Sequence, residues 1–190
     1  MKRIEQKEKR RREILNVGLD LFIRKGYAGT RTAEIANIVG ISEGLLFHYF
    51  ETKEKLYLTL IEIAINGKDN IFQSTEESPI GFYERTAKEI LDYITKEPFA
   101  AKLFVLMNRA QYDEVFSDQI HKYFMRKQDI EYSVNLIKQG QREGSIREGN
   151  PIALVTAFFM AIQGIAESIV RNPEMPIPNS EWIVDIIRSK

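Results

Sequence analysis

Residues 26–55 read GYAGTRTAEIANIVGISEGLLFHYFETKEK, and the placing of small and branched residues in this stretch decides the fold. Ala36, Gly40 and Leu46 stand four and then six residues apart, with Ile35 before them and Ile41 between. Two short helices joined by a turn of about three or four residues cross at about 90–120° only when their contact is tight. Ala36 is small enough for that crossing. Gly40 can take the left-handed conformation that ends the first helix, and Ile35, Ile41 and Leu46 fill the small core beneath. This is a helix-turn-helix pattern, whose second helix suits the major groove of duplex DNA.

The flanking residues fit that use. Thr30, Arg31 and Thr32 open the first helix of the pair, where backbone N–H groups and hydroxyls hold phosphate. Ser42 opens the second helix, and Gly44 lets its backbone approach the groove wall. Tyr49, Thr52 and Lys53 form another phosphate-holding cluster at the next helix start. The basic run Lys7-Glu8-Lys9-Arg10-Arg11-Arg12 precedes the first helix core and is placed to follow the DNA backbone or enter a minor groove. A plainer account stands beside this one. Helical hairpins with small residues at the crossing are common, and the run Phe47-His48-Tyr49-Phe50 also suits a core.

Outward from this stretch, almost every segment has helical spacing and none has sustained strand alternation. A first helix is predicted from about Glu5 to Lys25, with Ile14, Val17, Gly18, Leu21 and Phe22 on one face and Gly26 as its stop. One helix then ends at Gly40, another runs from Ser42 to Tyr49, and Thr52 caps a fourth carrying Leu56, Leu60 and Ile63. Further helices are predicted over Pro79–Thr95, Pro98–Ala110, Phe116–Gln141 and Pro151–Arg171. Pro173, Pro176 and Pro178 enforce a break before a last helix capped by Ser180 and carrying Trp182, Ile183, Ile186 and Ile187. The expected class is all-α, with about nine helices.

The 190 residues suffice for one large or two small domains, and 44% hydrophobic with 28% charged residues is an ordinary globular balance. Zero cysteines exclude disulfides, thiol catalysis and thiolate metal sites. Only His48 and His121 are available for a histidine-based metal site, and neither metal nor cofactor is expected. Formal charge is zero overall, yet residues 1–55 carry net +4 and residues 56–190 net −4. This asymmetry suggests a small anion-binding module, residues 1–55, joined to a larger unit, residues 56–190. Seven of the first twelve residues are Lys or Arg, and no apolar stretch of signal-peptide type follows them. The uncharged stretch Pro151–Ala166 is 16 residues, short of the roughly 20 that cross a bilayer. A cytoplasmic protein is expected.

The stretch resembles the DNA-binding domain of the tetracycline-repressor-like (TetR) family of bacterial transcriptional regulators. The resemblance rests on Gly26-Tyr27, Thr30, Ile35-Ala36, Gly40-Ile41-Ser42, Gly44, Leu46-Phe47, Tyr49-Phe50, Lys53 and Leu56, and covers roughly the first 60 residues. It implies phosphate contacts from Thr32, Tyr49 and Lys53. It implies groove-facing positions at Ser42, Glu43, Gly44, Leu45, Phe47 and His48, with Leu46 and Phe50 in the core. Two positions depart from the family's habit. Arg31 replaces the more usual threonine, and Glu43 stands where polar or basic residues are common; a carboxylate there repels phosphate but accepts from a cytosine amino group.

The larger unit holds 15 of the 20 aromatic residues. Most of them suit the packing of a helical bundle, but the resemblance implies a cavity among the middle helices for a small hydrophobic or amphipathic effector. Phe104, Met107, Tyr123, Tyr132 and Phe159 are the candidate lining, and His121 suits either the pocket or the surface. The helix Ile152–Val170 is apolar nearly all round and must be covered on every side, either within the chain or by a second copy. With the Trp182 helix it makes half of a two-fold four-helix interface. Adjacent carboxylates (Glu76-Glu77, Asp113-Glu114) diverge by about 100° on a helix and form no acid/base pair, and no phosphate loop or serine elbow is present. The expected function is therefore a dimeric, ligand-released repressor on a palindromic operator. A helical adaptor whose N-terminal hairpin binds protein is the alternative.

Overall fold

Two glycines and two hydroxyl caps set four of the helix boundaries in the first sixty residues. The structure is a computed structural model that describes residues 2–68, 77–110 and 127–190. Helix α1 (Lys2–Gly29) breaks at Gly26, whose φ of 72° and ψ of 172° are non-helical, so the predicted stop is real although a last turn continues beyond it. Helix α2 (Thr32–Val39) ends on Gly40 at φ 73°, ψ 38°, and the Gly40 N–H donates back to the Ala36 and Asn37 carbonyls. That left-handed geometry is inexpensive only for glycine. In helix α3 (Glu43–Tyr49) the Ser42 hydroxyl accepts from the Leu45 N–H at 3.2 Å. Thr52 does the same for Lys55 at 3.0 Å and opens α4 (Lys53–Lys68).

Helices α5 (Pro79–Lys96), α6 (Pro98–Ala110), α7 (Lys127–Arg142), α8 (Pro151–Arg171) and α9 (Ser180–Val184) complete the nine helices among the described residues. Proline at the first helical position of α5 and α8, behind Ser78 and Asn150 caps, fixes both starts. Of the helix predicted over Phe116–Gln141, the part up to Arg126 lies outside the described residues. The last helix needs correction. Asn179, not Ser180, is its cap, accepting from the Glu181 N–H, and the helix stops at Val184. Ile186 and Ile187 lie in the turn that follows, because the chain bends to bond elsewhere: Arg147 N–H donates to the Ile187 carbonyl at 2.9 Å and Ser189 N–H to that of Ser145 at 3.1 Å.

The core is one continuous cluster. Ile14, Leu19 and Phe22 of α1 meet Ile35, Leu46 and Phe50 of the α2–α3 pair and Leu56 and Leu60 of α4. A Cβ at Gly18 would lie 3.2 Å from the Leu56 side chain, so α1 and α4 pack closely here. In the larger unit, the Tyr83 hydroxyl donates to the Ser133 carbonyl at 2.8 Å, and its ring stands edge-on to Phe158 at 4.9 Å. Tyr83 thereby ties α5 to α7 and α8. Burial pushes its phenol well above the ordinary value, so it is a neutral donor at every physiological pH. Helix α6 packs against α1, α4, α5 and α8.

Candidate nucleic-acid interface

The α2–α3 pair is closed on its inner side and open on its outer side. Ile35, Ala36 and Leu46 are buried, whereas Ser42, Glu43, Gly44, Leu45, Phe47 and His48 are exposed. Leu45 and Phe47 are 42% and 40% exposed on a helix of seven residues. Apolar groups held out on a capped, rigid helix suit contact with thymine methyls, and His48 and Ser42 supply hydrogen bonds beside them. Arg31 is exposed at the mouth of α2, and Thr32 is half-buried. The Thr32 hydroxyl donates to Glu43 Oε1 at 2.5 Å, so the unusual carboxylate is held by a phosphate-binding candidate. Tyr49 is half-buried with its ring edge-on to His48 at 6.1 Å, and Thr52 is exposed at the start of α4.

Two expected phosphate ligands are placed otherwise. Thr30 is 1% exposed and its hydroxyl donates to the Gly26 carbonyl at 2.8 Å, closing the end of α1 instead of facing solvent. Lys53 turns inward. Its ammonium donates to the carbonyls of Tyr27 at 2.8 Å and Thr30 at 2.9 Å and lies 4.2 Å from the centre of the Tyr27 ring. The reason is electrostatic: the carbonyls at a helix end carry partial negative charge, and the lysine completes their hydrogen bonding. Lys53 thus holds the α1–α2 junction in place. Spacing alone gives no sign of this, because the partners are backbone atoms brought near by the fold.

The basic run is helical. Arg10 donates to Glu13 at 2.8 Å and to the Val39 carbonyl at 3.3 Å, and Arg11 stacks over Phe50 at 5.2 Å. Two of its cations therefore brace the α2–α3 pair against α1. From the other side, Lys102 of α6 pairs with Asp20 of α1 at 2.7 Å, and Arg109 of α6 donates to the Ile23 carbonyl near the Gly26 break. Neither contact was legible beforehand, since each joins residues more than 80 positions apart.

A small cavity of about 20 Å3, room for a single water, lies between α4, α5 and α6. Ala64, Ile90, Tyr93, Leu103, Phe104 and Met107 line it. Two candidates of the predicted pocket, Phe104 and Met107, are thus brought together. Tyr132 packs on Phe82 instead, and Phe159 on Phe158, away from this cavity. Tyr123 and His121 lie outside the described residues. Ile90 and Tyr93 were missed, although their spacing of three on one helix could have marked them.

The outer face of α8 exposes Ile152, Ala153, Ala157, Met160 and Gly164, and beside it Trp182 is 68% exposed. By length and composition α8, 21 residues from Pro151 to Arg171, is apolar enough to cross a membrane. It is amphipathic in burial, however, with Phe158, Ile162, Ala166 and Ile169 packed on its own unit.

Comparison with known proteins agrees with this geometry. The profile of bacterial regulatory proteins of the tetR family matches residues 14–60, which span α1 to the middle of α4. The uncharacterized HTH-type transcriptional regulator YfiR of Bacillus subtilis (strain 168) is 24% identical over 177 residues, covering 88% of this chain and 82% of YfiR. Among solved structures, the MbdR regulator of Azoarcus sp. CIB superposes with a TM-score of 0.73 at 21% identity, over 92% of this chain and 95% of its own. AibR, in complex with isovaleryl coenzyme A and operator DNA, superposes with a TM-score of 0.66 at 18% identity, over 93% and 94%. Residues 14–60 are thus a helix-turn-helix domain of the tetR family of bacterial regulatory proteins.

Proposed function

We propose that the chain is a cytoplasmic transcriptional repressor that binds a palindromic operator as a two-fold dimer and is released by a small apolar or amphipathic effector. One observation carries the reading: a short helix, α3, capped at both ends and braced from beneath, holds Leu45, Phe47 and His48 outward beside exposed Arg31 and Thr52. Residues 1–55 are the DNA-binding domain and residues 56–190 the effector-binding and dimerisation domain, with α4 reaching from one into the other. Ser42, Glu43, Gly44, Leu45, Phe47 and His48 face the groove. Arg31, Thr32, Tyr49 and Thr52 hold phosphates, while Thr30 and Lys53 position them. A regulator of this design does no catalysis of its own.

The apolar outer face of α8, with Trp182, is covered by the same face of a second copy. Helix α6 is the mechanical link. It lines the cavity through Phe104 and Met107, and it grips α1 through Lys102 and Arg109. An effector larger than one water must part α4, α5 and α6, and the movement of α6 is carried to α1 and so to α3. Release then follows from differential affinity for two states, with reciprocal linkage between effector and operator. That AibR, of the same fold, binds both a small molecule and operator DNA supports the reading.

Fluorescence anisotropy of labelled duplex DNA with the full chain tests it. Affinity should fall steeply between about 50 mM and about 200 mM salt, as counterion release requires. No binding at the lower salt would favour a protein-binding adaptor instead.

A further inference from the structure

Thr86, in the middle of α5, is fully buried, and its hydroxyl is the single buried side-chain oxygen or nitrogen among the described residues with no hydrogen-bond partner. A threonine inside a helix ordinarily bonds the carbonyl four residues back. Thr59 does so to Lys55 at 2.7 Å and Thr95 to Leu91 at 2.7 Å. Buried polar groups are nearly always paired, so an orphan hydroxyl calls for an explanation.

Its place supplies one. Thr86, Ile90 and Tyr93 follow at i, i+4 and i+7 and form one stripe of α5. Ile90 and Tyr93 line the cavity against α6. One turn the other way, Phe82 and Tyr83 meet Tyr132 and Ser133 of α7. Thr86 therefore lies buried on the same stripe of α5, one turn from the cavity-lining Ile90. The described lining is apolar save for the Tyr93 hydroxyl and carries no charged side chain. A carboxylate or ammonium brought there would lose its water without gaining a counter-charge from that lining, whereas a neutral hydroxyl or carbonyl needs only one partner. A threonine hydroxyl both donates and accepts, so it serves either group.

Resting on the effector reading above, we infer that Thr86 is the polar anchor of the cavity. The effector is a neutral amphiphile whose apolar body lies against Phe104 and Met107 and whose single hydroxyl or carbonyl meets Thr86 Oγ1.

The test follows the methyl resonance of Met107 in the full chain carrying 13C-methyl methionine, assigned by its loss in Met107→Leu. Three probes of equal chain length are titrated: 1-octanol, octanoate and octyltrimethylammonium. The expected result is a saturable shift with 1-octanol, and at least tenfold weaker binding of both charged probes. In Thr86→Val 1-octanol should bind about three- to tenfold more weakly, the worth of one neutral hydrogen bond, and Thr86→Ser should restore it. If Thr86→Val does not fold, Thr86→Ala is read in its place. Equal affinity of 1-octanol for wild type and the hydroxyl-free variant would overturn the anchor while leaving the cavity standing. Octanoate or octyltrimethylammonium binding as tightly as 1-octanol would overturn the neutral class. If none of the three moves Met107, the cavity reading itself fails.

Discussion

Replacing Lys53 by methionine separates two roles that a lysine at the start of α4 can play. In the structure its ammonium makes bonds of 2.8 and 2.9 Å to the Tyr27 and Thr30 carbonyls and lies 4.2 Å from the Tyr27 ring centre. Hydrogen bonds to a charged group are worth about 1.5–3 kcal/mol each when buried, and a partly exposed cation–π contact about 0.5–1 kcal/mol. Lys53 is half-buried, so water re-solvates much of what the lysine leaves. The net loss expected for Lys53→Met is then about 2 kcal/mol. In a chain of 190 residues this lowers the melting temperature by about 4–8 °C. Both acceptors are neutral, so the loss should persist at high salt. Thermal melts by circular dichroism at low and high salt, at one protein concentration, measure it. The same variant is then titrated with operator DNA across a salt series. A lysine on phosphate contributes about 0.9 to the slope of log affinity against log salt. The structure predicts a weakened complex with that slope unchanged. An unaltered melting temperature with the slope reduced by about one unit would refute the junction role and return Lys53 to the DNA.

Met160→Glu, on the outer face of α8, should convert dimers to monomers by light scattering while helical content is kept, because Met160 is 48% exposed on the single chain. Tight operator binding should vanish with it. Gly140→Ala would place a Cβ 2.5 Å from Ile146 Cδ1 and 2.6 Å from its Cγ1, and Ile146 is buried beneath the C-terminal turn. Overpacking of this kind costs about 1–3 kcal/mol, seen as a lower urea midpoint at unchanged slope. Glu43→Gln keeps a hydrogen-bond acceptor for Thr32 and removes a negative charge from the DNA face. It should raise affinity for non-operator duplex more than for operator; an equal rise for both would deny Glu43 a part in base reading.

The N-terminal domain was legible because local rules govern it. Gly26 and Gly40 sit where the backbone turns left-handed, Ser42 and Thr52 sit where helix N–H groups need an acceptor, and Ala36 with Leu46 closes the crossing. Burial of Ile35, Leu46 and Phe50, and exposure of Leu45 and Phe47, follow from that geometry. What the sequence hid were contacts made across the fold. Lys53 reads as a surface cation until the Tyr27 and Thr30 carbonyls are beside it, and Thr30 reads as a surface hydroxyl until the kink at Gly26 offers it a carbonyl. The last helix was over-extended because Ile186 and Ile187 continue a helical pattern, yet the turn there is held by Arg147 and Ser145 from a distant loop. Phe104 and Met107 announce themselves as large and apolar, whereas the orphan hydroxyl of Thr86 shows only once the packing is known.

The central claim is that two copies of α3 read duplex DNA as a two-fold pair, and selection from a random duplex library by the full chain tests it most directly. At about 0.1 M salt the account predicts enrichment of an inverted repeat whose half-site centres lie a whole number of helical turns apart, at about 10–10.5 base pairs per turn. Base preference should be lost in both halves when Phe47→Ala is used. A library that emerges without enrichment, or with a single asymmetric site, would contradict the account.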